Sequence, residues 1–243
     1  MELIVLGCGD AFGNGGRNNT SFLVSDGDEH VLLDCGATTL IRLKHEKIDV
    51  EAISTIVISH FHGDHFGGIP FILICSLFEI PRKKPLTIIG PIGVADRVHS
   101  LLEAMYAGTV EQLGMLDLRF LEYKQGEVLT IGDKSIKVWE VDHSPPSFPH
   151  AIRLEWKGKK IAFSGDTSWS DKLIALAEGT DVFICECNFL KEVSFGHLSY
   201  AELLHKASLF HTKSLWLTHM ADEVIDAVDF KLNRLTDGQK ITL

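Results

Sequence analysis

The run Ser59-His60-Phe61-His62-Gly63-Asp64-His65 places three imidazoles and one carboxylate within six consecutive positions, 60 to 65. Neutral imidazole and carboxylate are borderline ligands that suit zinc, with manganese or iron also accepted. His60 and His62 are two apart, so an extended backbone aims both at one ion. Asp64 and His65 are adjacent at the expected start of a helix, point elsewhere, and suit a second ion. Two metals about 3.5–4 Å apart need ligands from other segments. Three lone residues at expected strand ends meet that need: His143 after residues 136–141, Asp166 after residues 161–165, and His219 after residues 215–218. Each alone reads more readily as a surface or capping residue. Their recurrence at strand ends is what ties them to the first motif.

The elements that would position these groups follow from apolar periodicity and turn residues. Thr55-Ile56-Val57-Ile58 reads as a buried strand, residues 59–65 as a tight turn, and the apolar segment beyond Phe66 as a helix. Strands are expected near 2–6, 20–25, 30–34, 55–59, 86–89, 117–122, 136–142, 150–156, 160–164, 181–185 and 214–218. Helices are expected near 37–46, 66–79, 92–105, 169–178 and 199–210. No linker or low-complexity tract divides the chain, and the candidate ligands run from 60 to 219, so a single domain over 1–243 is expected.

The set His-x-His-x-Asp-His followed by His143, Asp166 and His219 resembles the metallo-β-lactamase superfamily. The resemblance spans the chain from Leu3-Ile4-Val5-Leu6-Gly7 to Leu217-Thr218-His219. It implies an α/β fold, the αββα sandwich of two mixed sheets flanked by helices. It also implies two divalent ions, zinc first and manganese as the alternative. His60, His62 and His143 would bind one, Asp64, His65 and His219 the other, and Asp166 would bridge them.

Position 62 is His rather than the Glu of the di-iron oxidoreductase branch, which favours hydrolysis. His143-Ser144-Pro145-Pro146-Ser147-Phe148 resembles the ribonuclease Z branch, and Ser164-Gly165-Asp166-Thr167 is similar to the phosphodiesterases. Cys185-Glu186-Cys187-Asn188-Phe189 resembles the Glu-containing motif of ribonuclease Z, and Gly196-His197-Leu198-Ser199 its His-x-Thr/Ser motif. The resemblance implies that Glu186 orients His197 and that His197 protonates the leaving oxygen or stabilises the phosphorane. Read locally, His197 is equally an ordinary helix-start residue, with Ser199 free to cap Tyr200-Ala201-Glu202-Leu203. Water activated by the metal pair and oriented by Asp64 and Asp166 would be the nucleophile.

The flexible arm with which ribonuclease Z proteins grip tRNA finds no counterpart. Lys157-Gly158-Lys159-Lys160 reads as a hairpin turn, and residues 105–116 are short and not basic. With 33 acidic and 23 basic residues the net charge is −10, whereas proteins that grip a long polyanion carry a basic face. The dense cluster Arg82-Lys83-Lys84 reads as a solvated loop. The expected substrate is therefore a small phosphodiester: a cyclic nucleotide, a cyclic phosphate or a short oligonucleotide end. The cyclic-phosphate phosphodiesterases of phosphonate pathways, phage-type enzymes that destroy cyclic nucleotide signals, and short ribonuclease Z relatives share these motifs. Processing of tRNA 3′ ends and a lactonase or thioesterase activity are the rival expectations.

The Gly-rich segment 7–20 lacks the Gly-Lys-Ser/Thr of a Walker loop and reads either as a substrate contact or as a structural loop. His150, behind Pro145, Pro146 and Pro149, is a candidate for the pocket wall. His30, His45, His99, His205 and His211 read as structural. The five cysteines are odd in number and sit in apolar contexts, which implies reduced thiols. Met1-Glu2 opens no signal peptide, and the apolar stretch 69–80 is shorter than the roughly 20 residues of a membrane span. A cytoplasmic protein with no membrane partner is expected, and the ribonuclease Z resemblance implies a homodimer.

Overall fold

Alternating or unbroken apolar runs become strands throughout the chain, as a computed structural model that describes residues 1–192 and 194–243 shows. In chain order the strands are β1 (Glu2–Gly7), β2 (Ser21–Ser25), β3 (His30–Leu33), β4 (Ile53–Val57), β5 (Leu86–Gly90), β6 (Leu118–Glu122), β7 (Val128–Ile131), β8 (Lys134–Glu140), β9 (His150–Trp156), β10 (Lys159–Phe163), β11 (Val182–Glu186), β12 (Leu215–Thr218), β13 (Asn233–Arg234) and β14 (Lys240–Thr242). The helices are α1 (Thr39–His45), α2 (Gly63–Phe66), α3 (Ile69–Ile74), α4 (Val94–Met105), α5 (Lys172–Ala177), α6 (Tyr200–Lys206) and α7 (Asp222–Ile225).

The described residues form two compact units. The first comprises Met1–Gly7, Asn18–Glu122 and Asp237–Thr242. It holds a mixed seven-stranded sheet ordered β14-β1-β2-β3-β4-β5-β6. Pairing is antiparallel from β14 to β3 and parallel from β3 to β6. Strands β3 and β5 are buried at every position, the unbroken apolar pattern of parallel strands covered on both faces. One face packs against α1, which buries Thr39 and Leu43, and against α4, which buries Val94, Val98 and Leu102 at the four-residue spacing of a helical stripe. Each fully buried aliphatic side chain here contributes about 1.5–3 kcal/mol.

The second unit comprises Cys8–Arg17 and Tyr123–Thr236, with Leu243. Its seven-stranded sheet is ordered β13-β12-β11-β10-β9-β8-β7. Pairing is antiparallel from β7 to β10 and parallel from β10 to β13, so each sheet has the same sequence of pairings. Strand β8 buries Lys134, Ile136 and Val138 at every second position and leaves Ser135, Lys137 and Trp139 between them more accessible, the two-residue period of an antiparallel strand. Its core gathers Val141, Ala162, Phe183, Leu203, Phe210 and Leu217. Ser199 caps α6, its hydroxyl accepting from Glu202 N.

Every expected strand is present within a residue or two, whereas β7, β13 and β14 were not expected. β13 is only Asn-Arg and carries no strand propensity of its own. The helix expected over 66–79 is broken into α2, α3 and a wider turn at Cys75–Glu79. The break falls at Gly67-Gly68, and Pro70 in the first turn of α3 cannot continue a preceding helix. The solvated-loop reading of Arg82 is overturned. Its guanidinium is buried and donates to the carbonyls of Val50, Glu51 and Ile53. Among the described residues, no helix is long and apolar enough to cross a membrane.

Candidate metal centre and catalytic pair

In the first unit the parallel strand β4 delivers its chain end into a turn, and α2 begins immediately after. His60 and His62 come together with ring centroids 4.7 Å apart, and His60 and His65 at 4.1 Å. Asp64 Oδ2 lies 3.3 Å from His65 Nε2. The group is held from behind by Asp34, which follows β3 and is fully buried with φ 58°. Asp34 Oδ1 accepts from Ser59 N at 2.6 Å, and Oδ2 accepts from Ser59 Oγ at 2.7 Å and from His65 Nδ1 at 2.6 Å. Burial pushes the Asp34 carboxyl above its usual range, against the pull of His65 and the two Ser59 donors.

These contacts decide tautomers. A carboxylate oxygen only accepts, so His65 carries its proton on Nδ1 and keeps a lone pair on Nε2. The Ser59 hydroxyl spends its proton on Asp34, so it accepts from His60 Nδ1 at 3.0 Å, and His60 Nε2 is likewise a lone-pair donor. Gly36 and Gly68 let these turns approach. A Cβ on Gly36 would stand 2.3 Å from Asp64 O, and one on Gly68 would stand 2.1 Å from Gly36 O.

In the second unit His143 lies beyond β8, Asp166 beyond β10, Glu186 at the end of β11 and His219 beyond β12. Asp166 Oδ2 lies 3.3 Å from His219 Nε2 and 3.8 Å from His143 Nε2. His143 Nδ1 donates to Gly196 O at 2.8 Å, which leaves Nε2 with the lone pair. Only glycine fits at 196: its φ is 91°, and a Cβ would stand 2.8 Å from His143 Nδ1. His219 adopts φ 55°, a conformation costly for a residue with a Cβ. Cys8 O holds it by accepting from His219 N at 3.0 Å, and Asn188 Nδ2 donates to His219 O at 3.1 Å.

Glu186 is fully buried and accepts three donors: Thr167 N at 2.6 Å and His197 Nδ1 at 3.0 Å on Oε1, and Leu198 N at 3.1 Å on Oε2. Burial raises its pKa, and the contact with His197 only partly offsets that. Burial lowers the His197 pKa, but the hydrogen bond and charge of Glu186 outweigh it and the net shift is upward. The His197 ring stacks on His219 at 5.4 Å and meets His143 edge-on at 4.9 Å. Its side chain remains 22% exposed, so a reagent can reach it.

The donor chemistry fits divalent ions. Three buried imidazoles, His60, His65 and His143, have Nδ1 engaged by an oxygen and Nε2 left as the coordinating atom, the arrangement second-sphere acceptors impose on metal-binding histidines. Glu186, His197 and His219 also cluster within 4.8 Å. There Glu186 already serves three donors and His197 Nδ1 is taken, which suits an oriented acid better than a further ion.

Sequence reasoning passed over Asp34, Gly196 and Asn188. Asp34 was within reach, because it ends the strand Val31-Leu32-Leu33 just as Asp166 follows another. The Gly-rich segment proves largely self-satisfied. Asp10 accepts from Phe12 N, Asn14 N and Asn14 Nδ2, Asp222 accepts from Gly15 N, and Arg17 donates to Leu235 O. His150 does line a cavity wall, together with His143.

Comparisons with known proteins agree with this architecture. The family model described as anti-Pycsar protein Apyc1 matches residues 1–234. A ribonuclease Z of Clostridium kluyveri is 26% identical, over 93% of this chain and 90% of that protein. A ribonuclease Z of Mycobacterium avium is 30% identical, over 76% of this chain and 69% of that protein. The crystal structure of human tRNase Z, short form, superposes with a TM-score of 0.77 at 22% identity, covering 100% of this chain and 99% of that one; at this identity it speaks for the fold alone.

Proposed function

The chain belongs to the anti-Pycsar protein Apyc1 family, on the ribonuclease Z-like side of the metallo-β-lactamase superfamily, and is a metal-dependent phosphodiester hydrolase; we propose that it cleaves a small phosphodiester with His197 as general acid. In this reading, and as the superfamily resemblance implies, His60, His62 and His143 would hold one divalent ion and Asp64, His65 and His219 a second, with Asp166 shared. Bound there, the ions supply Lewis-acid charge for the phosphate oxygens and acidify water, zinc being the expected metal and manganese compatible with the same donors.

The observation that carries the reading is the Glu186–His197 pair. Its geometry sets Nδ1 of His197 3.0 Å from a buried carboxylate, which engages the Nδ1 proton and leaves Nε2 as the ring atom to pass a proton. An alkoxide leaves phosphorus poorly because its conjugate acid is weak, so a proton delivered by Nε2 has most effect there. Glu186 keeps the ring aimed and offsets the charge of its protonated form. Asp64 and Asp166 orient the attacking water by accepting its hydrogen bonds. A thioester expels a thiolate, a better leaving group than an alkoxide, and gains less from such an acid.

Protein of measured metal content should be assayed in parallel on bis(p-nitrophenyl) phosphate, cyclic mononucleotides and a lactone panel. Phosphodiester turnover is expected, abolished by chelation and restored by zinc or manganese. Lactone turnover exceeding it would overturn the proposal. The names of the curated relatives favour a second reading, cleavage of precursor tRNA. The net charge of −10 argues against it, and tight, steeply salt-dependent cleavage of precursor tRNA would establish it.

A further inference from the structure

We propose that the cavity of about 550 Å³ between α6, α7 and Leu190 is a second ligand site, which takes a small apolar amine and holds it against the loop that carries His197. Binding there needs neither metal nor phosphodiester, so the site stands or falls apart from the reading above.

The volume lies within the range of small-molecule pockets, about 300–1,000 Å³. Leu190, Tyr200, Ala201, Leu204 and Val228 supply apolar walls. On α6, Tyr200, Ala201, Leu204 and His205 recur at the spacing that places side chains on one helix face. Val228 is 86% exposed, an aliphatic side chain that a ligand would shelter from water. These walls are set before a ligand arrives. The Tyr200 ring stacks on Phe230 at 3.8 Å, and its hydroxyl accepts from Lys231 N at 3.0 Å. Arg234 lies over the Phe230 ring at 4.4 Å and donates to the carbonyls of Val224, Ile225 and Ala227, which fixes the end of α7. A preformed site loses less ordering entropy on binding.

The rim chooses the charge. Glu223 in α7 and Asp226 just beyond it are three apart, and both line the cavity. Against these two carboxylates stand one ammonium, Lys191, and the imidazole of His205. Glu223 Oε1 accepts from Leu190 N at 2.8 Å, so its charge is pinned at the wall. Lys191 is exposed on a long flexible stem and turns to water at little cost. A cationic head therefore gains more here than an anionic one, while the walls take an apolar body.

Backbone bonds tie the cavity to the catalytic pair. Ala201 N donates to Leu190 O at 3.0 Å, so two cavity walls are joined across the loop that carries His197. Tyr200 N donates to Phe189 O at 2.8 Å, and Phe189 N to Leu198 O at 3.2 Å. The Phe189 ring lies edge-on to His197 at 6.1 Å, and Leu198 N donates to Glu186.

Calorimetry at low ionic strength compares tryptamine, tryptophol and indole-3-acetate, one ring system bearing an ammonium, a hydroxyl or a carboxylate. Tryptamine should bind with a Kd below about 1 mM. It should bind about 2- to 25-fold more tightly than tryptophol, each exposed carboxylate–ammonium pair being worth about 1.5- to 5-fold. The double variant Glu223→Gln, Asp226→Asn should erase that preference and leave tryptophol binding unchanged. Histidine ring NMR places the site: the His205 signal should shift with tryptamine occupancy and the His197 signal should follow, while those of exposed His45 and His211 stay fixed. Equal affinity for the three indoles, a preference for the carboxylate, or a preference that survives the double variant overturns the amine site, as does an unmoved His205 signal. A dimer in sedimentation that Val228→Lys splits overturns it too, by assigning this face to a second copy. A His197 signal unmoved at saturation overturns the link to the catalytic pair.

Discussion

Removing the His197 imidazole should slow cleavage of esters with poor leaving groups far more than cleavage of activated ones. A positioned general acid contributes about 10²–10⁴-fold, or about 2.7–5.5 kcal/mol of barrier. The structure indicates that His197→Ala costs little else. Glu186 keeps its bonds from Thr167 N and Leu198 N, so the buried carboxylate loses one of three donors. About 1–2 kcal/mol of stability should go with that bond. The assay is steady-state kcat/KM on two esters of the same phosphate, one expelling an alkoxide and one p-nitrophenolate, with metal content measured on each sample. The alkoxide ester should lose about 10²–10⁴-fold and the p-nitrophenyl ester less than about tenfold. Glu186→Gln keeps the shape but removes the charge that holds the ring, so its loss should be smaller and run in the same direction. Because the two residues act as a unit, the double variant should be scarcely slower than His197→Ala alone. Equal losses on both esters, or a loss that tracks departed metal, would refute the general-acid argument.

Three other perturbations probe the scaffold. Asp34→Asn turns an acceptor of His65 Nδ1 into a mixed donor and acceptor, and equilibrium dialysis should show metal affinity lowered about 10–100-fold; unchanged affinity would remove Asp34 from the design. Arg82→Ala strips donors from the carbonyls of Val50, Glu51 and Ile53, and urea unfolding should show a loss of about 2–4 kcal/mol, whereas a surface residue would give almost none. Burial lowers the pKa of His30, so the unfolded chain binds its proton more readily. Its stability contribution is intact above the unfolded value of about 6.5 and is lost as pH falls below it toward the folded value. His30→Gln should therefore flatten the drop in urea midpoint between about pH 7.5 and 5.5, and an equal drop in both proteins would contradict the assignment.

What could be read directly from the residue order was local. A run such as Thr55-Ile56-Val57-Ile58 declares a strand through its own side chains, and Gly-Asp-His declares the turn and helix start that follow. Strand ends were therefore visible, and with them the positions of His60, His143, Asp166 and His219. The overall α/β class and the superfamily followed, because those four stops and the compact histidine motif lie in one chain order. The Cys185-Glu186-Cys187 and Gly196-His197 segments were visible as pieces, though their pairing was only implied by resemblance.

The tertiary structure decided everything that depends on who meets whom across a long stretch of chain. Asp34 and His65 are 31 residues apart, Gly196 and His143 are 53 apart, and no periodicity encodes either bond. Arg82 looked solvated because its neighbours are lysines, yet carbonyls some 30 positions upstream accept from it once β4 and β5 align. β13 is a strand only because β12 offers it an edge, and His150 shares a cavity wall with His143 only in the folded chain. Side-chain pattern travels with the sequence, whereas hydrogen-bond partners, tautomers and cavities are properties of surfaces that exist only after the sheets have formed.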